Sequence, residues 1–150
     1  METKPANLIL VADDDQEDCM LEREAMEESG LVNKLQFVHD GEELMNYLYH
    51  QAPYEDRGRY PDPGLILLDL NMPKKDGREA LREIKADGRL RCIPIIVLTT
   101  SKAEEDVLKT YNLGVSSFIT KPVTFEGLVN VMKTLSTYWF QIVELPPSRY

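Results

Sequence analysis

Five short apolar runs punctuate the chain, and most of them end abruptly in polar or charged residues. Leu8-Ile9-Leu10-Val11-Ala12 stops at Asp13-Asp14-Asp15, and Leu35-Gln36-Phe37-Val38 stops at His39-Asp40-Gly41. Leu65-Ile66-Leu67-Leu68 ends at Asp69, Ile95-Ile96-Val97-Leu98 at Thr99-Thr100, and Ser117-Phe118-Ile119-Thr120 at Lys121-Pro122. Short runs of this kind predict strands buried on both faces, as inside a parallel sheet. Between them the apolar spacing changes to three and four, the period of helices. Asp15, with Asp18 three residues on, predicts an N-cap for a helix running to Ser29, with Gly30 as its stop. Leu44, Tyr47 and Leu48 mark one face of a second helix reaching Tyr49, and Ala80, Leu81 and Ile84 mark a third. Ser101 and Glu104 read as a capping box for a fourth helix through Asn112, with Gly114 just past its end. Thr124 caps a fifth whose inner face is Phe125, Leu128, Val129, Met132 and Leu135. Residues 52–64 carry three prolines and two glycines and read as a loop.

Alternating strand and helix patterns require right-handed crossovers and a parallel sheet covered on both faces. The expected fold is a doubly wound α/β domain of five strands and five helices, in the strand order 2-1-3-4-5 of one common member of that class. At 150 residues the chain has the length of one such domain, with a core that needs no disulfide staples. Residues 1–136 complete the five units, and 137–150 form an extension too short for an output domain.

With 43% hydrophobic and 29% charged residues the composition is that of a globular protein, which excludes disorder and coiled coil. No apolar run approaches the ~20 residues of a membrane span, and Met1–Asn7 is no signal peptide, so the expected location is the cytoplasm. The net charge of −9 argues against nucleic acid as a partner. Its distribution is uneven: residues 1–30 hold ten acids against two bases, the remainder sixteen against fifteen. Cys19 and Cys92 fit no zinc or redox spacing and read as reduced, semi-buried thiols. His39 and His50 lack the pairing of a metal or triad site.

In doubly wound sheets ligands bind outside the carboxyl ends of the strands. There the chain places Asp13-Asp14, Asp69, Thr99 and Lys121, residues spread over most of the sequence. Clustered carboxylates repel one another, and one takes up a proton unless a cation neutralises them. All the available ligands are oxygens, so the expected ion is hard, and Mg2+ fits best because it keeps waters that a phosphate can replace. Lys121 and Thr99 supply a cation and a hydroxyl for phosphoryl oxygens. The set reads as a site for a phosphoryl group on Asp69. Asp15 and Asp18 read as helix caps and surface charge, and Lys74-Lys75 and Arg89-Leu90-Arg91 as a solvated basic rim.

The pattern Asp13-Asp14, Asp69, Thr99, Lys121-Pro122, with Met72-Pro73 and Asp76-Gly77 after the acceptor, resembles the response-regulator receiver domain of two-component signalling. The resemblance covers residues 7–136. It implies a flavodoxin-like fold in which Asp69 accepts phosphate from a sensor histidine kinase. It also implies that Asp14, Asp69 and the backbone carbonyl of Asn71 hold the magnesium, with Asp13 acting through water. Thr99 and Phe118 would form the switch pair, Phe standing where the family often keeps Tyr. Such a protein is a phosphoacceptor rather than a conventional enzyme, although it assists its own phosphorylation and dephosphorylation.

The insertion Ala52–Gly64 and the tail Thr137–Pro147 look like those of the small single-domain regulators that partner bacterial and cyanobacterial phytochromes. A phosphorelay intermediate or a scaffold is the alternative. An aspartyl-phosphate phosphatase is less suited, because its motif needs a second acid where Asn71 stands. The tail crowds Tyr138, Trp139, Phe140, Ile142, Val143 and Leu145 into eight residues, which would be a large apolar patch on a monomer. Either it folds back on its own domain or it builds a homodimer, and the expected arrangement is the homodimer.

Overall fold

The computed structural model describes residues 8–30, 33–100 and 103–147. Its elements alternate without exception: β1 (Leu8–Ala12), α1 (Gln16–Glu28), β2 (Lys34–Val38), α2 (Gly41–Leu48), β3 (Leu65–Leu68), α3 (Gly77–Ala86), β4 (Ile95–Thr99), α4 (Glu104–Leu113), β5 (Ser117–Thr120) and α5 (Phe125–Thr137). All strand pairs are parallel and the order is β2-β1-β3-β4-β5, as expected.

Each central strand divides its apolar residues between two cores. Leu8, Leu10, Ala12, Ile66, Leu68, Ile95 and Val97 face one side, where Leu44 and Leu48 of α2 and Ala80, Leu81 and Ile84 of α3 cover them. Ile9, Val11, Leu65, Leu67, Ile96 and Leu98 face the other, under Ala25 and Met26 of α1 and Leu128, Met132 and Leu135 of α5. Because both faces are buried, β1, β3 and β4 read as continuous apolar runs. Side chains cap α1, α2, α3 and α5: Asp15, Asp40, Asp76 and Thr124 each accept from backbone N–H groups of the first turn. Each such cap contributes about 1 kcal/mol, and those of α2 and α3 anchor loops beside the strand ends.

One expectation needs correction, and another falls outside the described residues. α4 starts at Glu104 with Ala103 before it, and the expected capping box of Ser101 and Glu104 rests on Ser101, which lies outside the described residues. Phe125, the first residue of α5, is 37% exposed rather than buried on the inner face, lining an open cleft with Leu21 of α1. α5 runs on into a π-helical turn, Tyr138–Ile142, which keeps Trp139 and Phe140 against the α1/α5 core.

The loop after β3 is held by two close backbone approaches. A Cβ at Gly77 would run into the carbonyl of Asp69 and lie 2.8 Å from the Cα of Leu70, while one at Gly41 would collide with the backbone of Lys75. Gly77 N–H also donates to the Leu70 carbonyl at 3.0 Å, closing the loop on itself. Lys74, at its tip, has a φ of 63°, strained for a side-chain-bearing residue. Gly77→Ala and Gly41→Ala should therefore each lower the unfolding free energy by about 1–3 kcal/mol in urea titrations. Gly88→Ala, where nothing lies within 4 Å, should stay close to the parent. Equal effects at all three positions would refute the close-packing account.

Candidate functional site

The C-terminal edge of the sheet gathers the residues singled out in the sequence. Asp13 follows β1, Asp69 follows β3, Thr99 closes β4 and Lys121 follows β5. Asp13, Asp69 and Thr99 are buried, at 1%, 7% and 0% exposure, whereas Asp14 beside them is open to solvent. Carboxylate oxygens of Asp13, Asp14 and Asp69 all lie within 4.8 Å of one another.

Lys121 ties this edge together. Its ammonium donates to Asp13 Oδ2 at 2.8 Å, Asp18 Oδ2 at 2.7 Å and Asp69 Oδ2 at 3.0 Å, using all three protons. Burial disfavours the charge on Lys121, but the hydrogen bonds from its ammonium to Asp13 and Asp18 outweigh it and hold the pKa above the ordinary lysine range. Burial also raises the pKa of Asp13, against the opposing pull of Lys121. The other oxygen of Asp69, Oδ1, accepts from the Thr99 hydroxyl at 2.8 Å and from Asn71 N–H at 3.1 Å. Asp69 is thus oriented by three donors, from the end of β4, the loop after β3 and the loop after β5.

Three carboxylates share one ammonium here and Asp14 stands beside them, leaving an excess of negative charge in a half-buried pocket. A divalent cation fits that deficit. The donors are all oxygen, and the three that converge are those of Asp13, Asp14 and Asp69. Phe118, two positions into β5, is half-buried against the core on the α2/α3 side, and its N–H donates to the Tyr111 hydroxyl at 3.2 Å. Cys19 is buried, whereas Cys92 is exposed, unlike the semi-buried thiol expected of it. Its place in the turn between α3 and β4 puts it on the outer surface.

Two acids of α1 were not read correctly in the sequence. Asp18 is no simple cap: Asp15 alone accepts the first-turn N–H groups, and Asp18 reaches across to Lys121. Glu22, one turn further on, is 2% exposed, and its Oε2 has no hydrogen-bond partner among the described residues. Burial, with repulsion from Asp13 next, pushes its pKa up to about 8. The signal was present as a glutamate on the stripe Cys19, Glu22, Ala25, Met26 that α1 buries.

A model of the response regulator receiver domain matches residues 9–133. The chain belongs to the response-regulator receiver family. It is 40% identical over 145 residues to the response regulator Rcp1 of Synechocystis, covering 97% of both chains. The crystal structure of the Mn2+-bound form of Rcp1 superposes with a TM-score of 0.82 over 93% of this chain and 98% of that one. The phosphorylated cyanobacterial phytochrome response regulator RcpA is 38% identical with a TM-score of 0.85, over 96% and 99% of the two chains. A probable methanogenesis regulatory protein, FilR2 of Methanothrix harundinacea, is 36% identical over 93% of this chain and 87% of its own. The protein is therefore a receiver-domain response regulator, and the strand order and helix count expected of that family are those found.

Glu22 gives this receiver a pH dependence of its own. In the unfolded chain it loses its proton near the ordinary glutamate value, but in the fold it keeps the proton until about pH 8. Folding stability is therefore lost as pH rises across that window. In metal-free buffer Glu22→Gln should change stability little at pH 5 and raise it at pH 8, on the order of 2–4 kcal/mol. Thermal or urea melts at the two pH values check this, and an equal effect at both would overturn the assignment.

Proposed function

We propose that Asp69 accepts a phosphoryl group from the phosphohistidine of a sensor histidine kinase in the cytoplasm. The observation that carries this reading is the set of bonds on Asp69. One carboxylate oxygen is held by the Thr99 hydroxyl and Asn71 N–H, the other by Lys121, with Asp13 and Asp14 alongside. In the transfer an Asp69 oxygen attacks phosphorus in line, the P–N bond to the histidine breaks, and an acyl phosphate results. Asp14, Asp69 and the Asn71 carbonyl would hold Mg2+, with Asp13 acting through water. When bound, the ion supplies charge neutralisation for the phosphoryl oxygens. Lys121 then pairs with a phosphoryl oxygen, and Thr99 is drawn to another, leaving room into which Phe118 turns. Asn71 at the second position after the acceptor offers no acid, so Asp69 has no proton carrier for an alcohol leaving group and a phosphatase role is not supported.

Relatives named as phytochrome and bacteriophytochrome response regulators match this chain over nearly its whole length, which supports a phytochrome-type kinase as the phosphoryl source. Output would come through association, with a second copy of the chain as the first candidate. Tyr138 and Ile142 are 48% and 67% exposed on the π-helical turn, while Trp139 and Phe140 pack partly on their own core. Of the six tail residues, Tyr138 and Ile142 are thus best placed to anchor a homodimer, and Trp139 and Phe140 hold the turn that presents them. Val143 and Leu145 lie half-buried beyond it.

Asp69→Asn should abolish labelling by acetyl phosphate in magnesium, read by mass or by phosphate-affinity electrophoresis. Undiminished labelling would place the nucleophile elsewhere. The full chain should sediment as a dimer, and Tyr138→Glu with Ile142→Glu should convert it to a monomer of unchanged helix content. A parent that sediments as a monomer would sink the dimer.

A further inference from the structure

The insertion between α2 and β3 is packed and wired to the acid pocket. Tyr47 of α2 and Tyr54 and Tyr60 of the insertion form a ring cluster, with centroids 5.0 Å (Tyr47–Tyr54), 5.9 Å (Tyr47–Tyr60) and 4.9 Å (Tyr54–Tyr60) apart. The Tyr47 hydroxyl donates to the Pro61 carbonyl at 2.9 Å, and the His50 ring bridges Asp62 and the Tyr54 carbonyl. A loop rich in proline and glycine is thereby seated on the end of α2.

From that seat one phenol reaches toward the sheet edge. Tyr54, 6% exposed, donates its hydroxyl to Glu43 Oε2 at 2.6 Å. The other oxygen of Glu43 accepts the backbone N–H of His39 at 2.5 Å, and Glu43 N–H donates to Asp40 at 2.8 Å. His39 Nδ1 lies 3.1 Å from the carbonyl oxygen of Asp13. A carbonyl only accepts, so Nδ1 must carry the hydrogen and the tautomer of His39 is determined by that contact. Asp13 is the buried acid that also takes Lys121 at 2.8 Å and, through Oδ1, the N–H of Asp15 at 3.0 Å. Three hydrogen bonds therefore link four residues from the insertion to the floor of the pocket, the path passing through His39 from its backbone N–H to its ring.

We propose that the insertion sets the divalent-cation affinity of the acid pocket, with Tyr54, Glu43 and His39 as positioning residues that hold the Asp13 backbone. The inference rests on the reading of Asp13, Asp14 and Asp69 as a metal pocket. Its physical basis is geometry. Carboxylates that repel one another must be held at the separation the ion needs before it arrives, and a backbone left to relax opens that separation. Glu43 joins the two halves of the relay because each of its oxygens serves one side. Removing the phenol leaves the half-buried Glu43 carboxylate without the donor that fixes its orientation, and it is free to turn away from His39.

The decisive variant is Tyr54→Phe in the full chain, which keeps the ring in its cluster and removes only the hydroxyl. Tyr47→Phe is the control, since it deletes a hydroxyl that ties the same insertion to α2 but stands outside the relay. Mn2+ and Mg2+ titrations followed by intrinsic fluorescence should show affinity weakened at least threefold in Tyr54→Phe and unchanged in Tyr47→Phe. Nitrogen-15 spectra of the metal-free proteins should show His39 as the Nδ1–H tautomer in the parent and in Tyr47→Phe, and shifted toward Nε2–H in Tyr54→Phe. A merely structural loop would lower stability in both variants and leave the tautomer alone. Unchanged affinity in Tyr54→Phe, or equal losses in the two variants, would overturn the relay while leaving the metal pocket standing. A parent that binds neither ion would instead overturn the metal reading itself.

Discussion

Everything at the sheet edge depends on one ammonium shared among carboxylates. Lys121 reaches Asp13, Asp18 and Asp69 at once, from a loop 108 residues along the chain from the first of them. Without it, buried acids on neighbouring strands would face one another, and repulsion with desolvation would drive protons onto them. The bond also ties the sheet edge together, since it joins the ends of the adjacent β1 and β3 to the end of β5 across the intervening β4. The fold positions the site, and the site in turn locks the strand ends.

That arrangement is poised rather than saturated. One ammonium does not balance the acids around it, so the pocket keeps an affinity for further positive charge, and Asp14 remains open to solvent to meet it. Asp69 has different partners on its two oxygens, a hydroxyl and an amide on one and the ammonium on the other. Any group added to Asp69 competes for all of these donors together. Exchanging hydrogen bonds of this type costs about 1 kcal/mol each, small enough for a single covalent change to redistribute them.

The fold was legible because its information is local and repeated. β1, β3 and β5 lie where the apolar runs place them, and Asp15, Asp40, Asp76 and Thr124 cap helices through their own side chains. Asp69, Thr99 and Lys121 were legible for a topological reason: parallel strands bring every C-terminal end to one edge, whatever the separation in sequence. What escaped was contact that no period encodes. Asp18 occupies a helix-cap position by spacing, yet the nearer Asp15 satisfies the first-turn amides, which frees Asp18 for Lys121. Glu22 looks like one more charge on an acidic helix until α1 turns that face inward. The π-helical turn was hidden because its aromatic run fits a free tail and a continuing helix equally well.

The distribution of anchors also says where a change at the site will be expressed. α1, α2, α3 and α5 begin on side-chain caps, whereas α4 begins at Ala103 with none and ends at Gly114 in the left-handed region. It leaves Leu108 and Tyr111 substantially exposed. Its strongest tie is the paired contact of Arg78 with Asp106, at 2.8 and 2.7 Å, and the same guanidinium reaches toward the Leu70 carbonyl and Asp76 in the loop that follows Asp69. Among the described residues, α4 is fastened to the loop that follows Asp69 through Arg78 and to β5 through the Tyr111 hydroxyl on Phe118 N–H. Segments with few buried contacts respond first when a neighbouring bond is exchanged. Thr99 ends the strand that leads into α4, so a pull on its hydroxyl acts on a helix that presents Leu108 and Tyr111 to solvent.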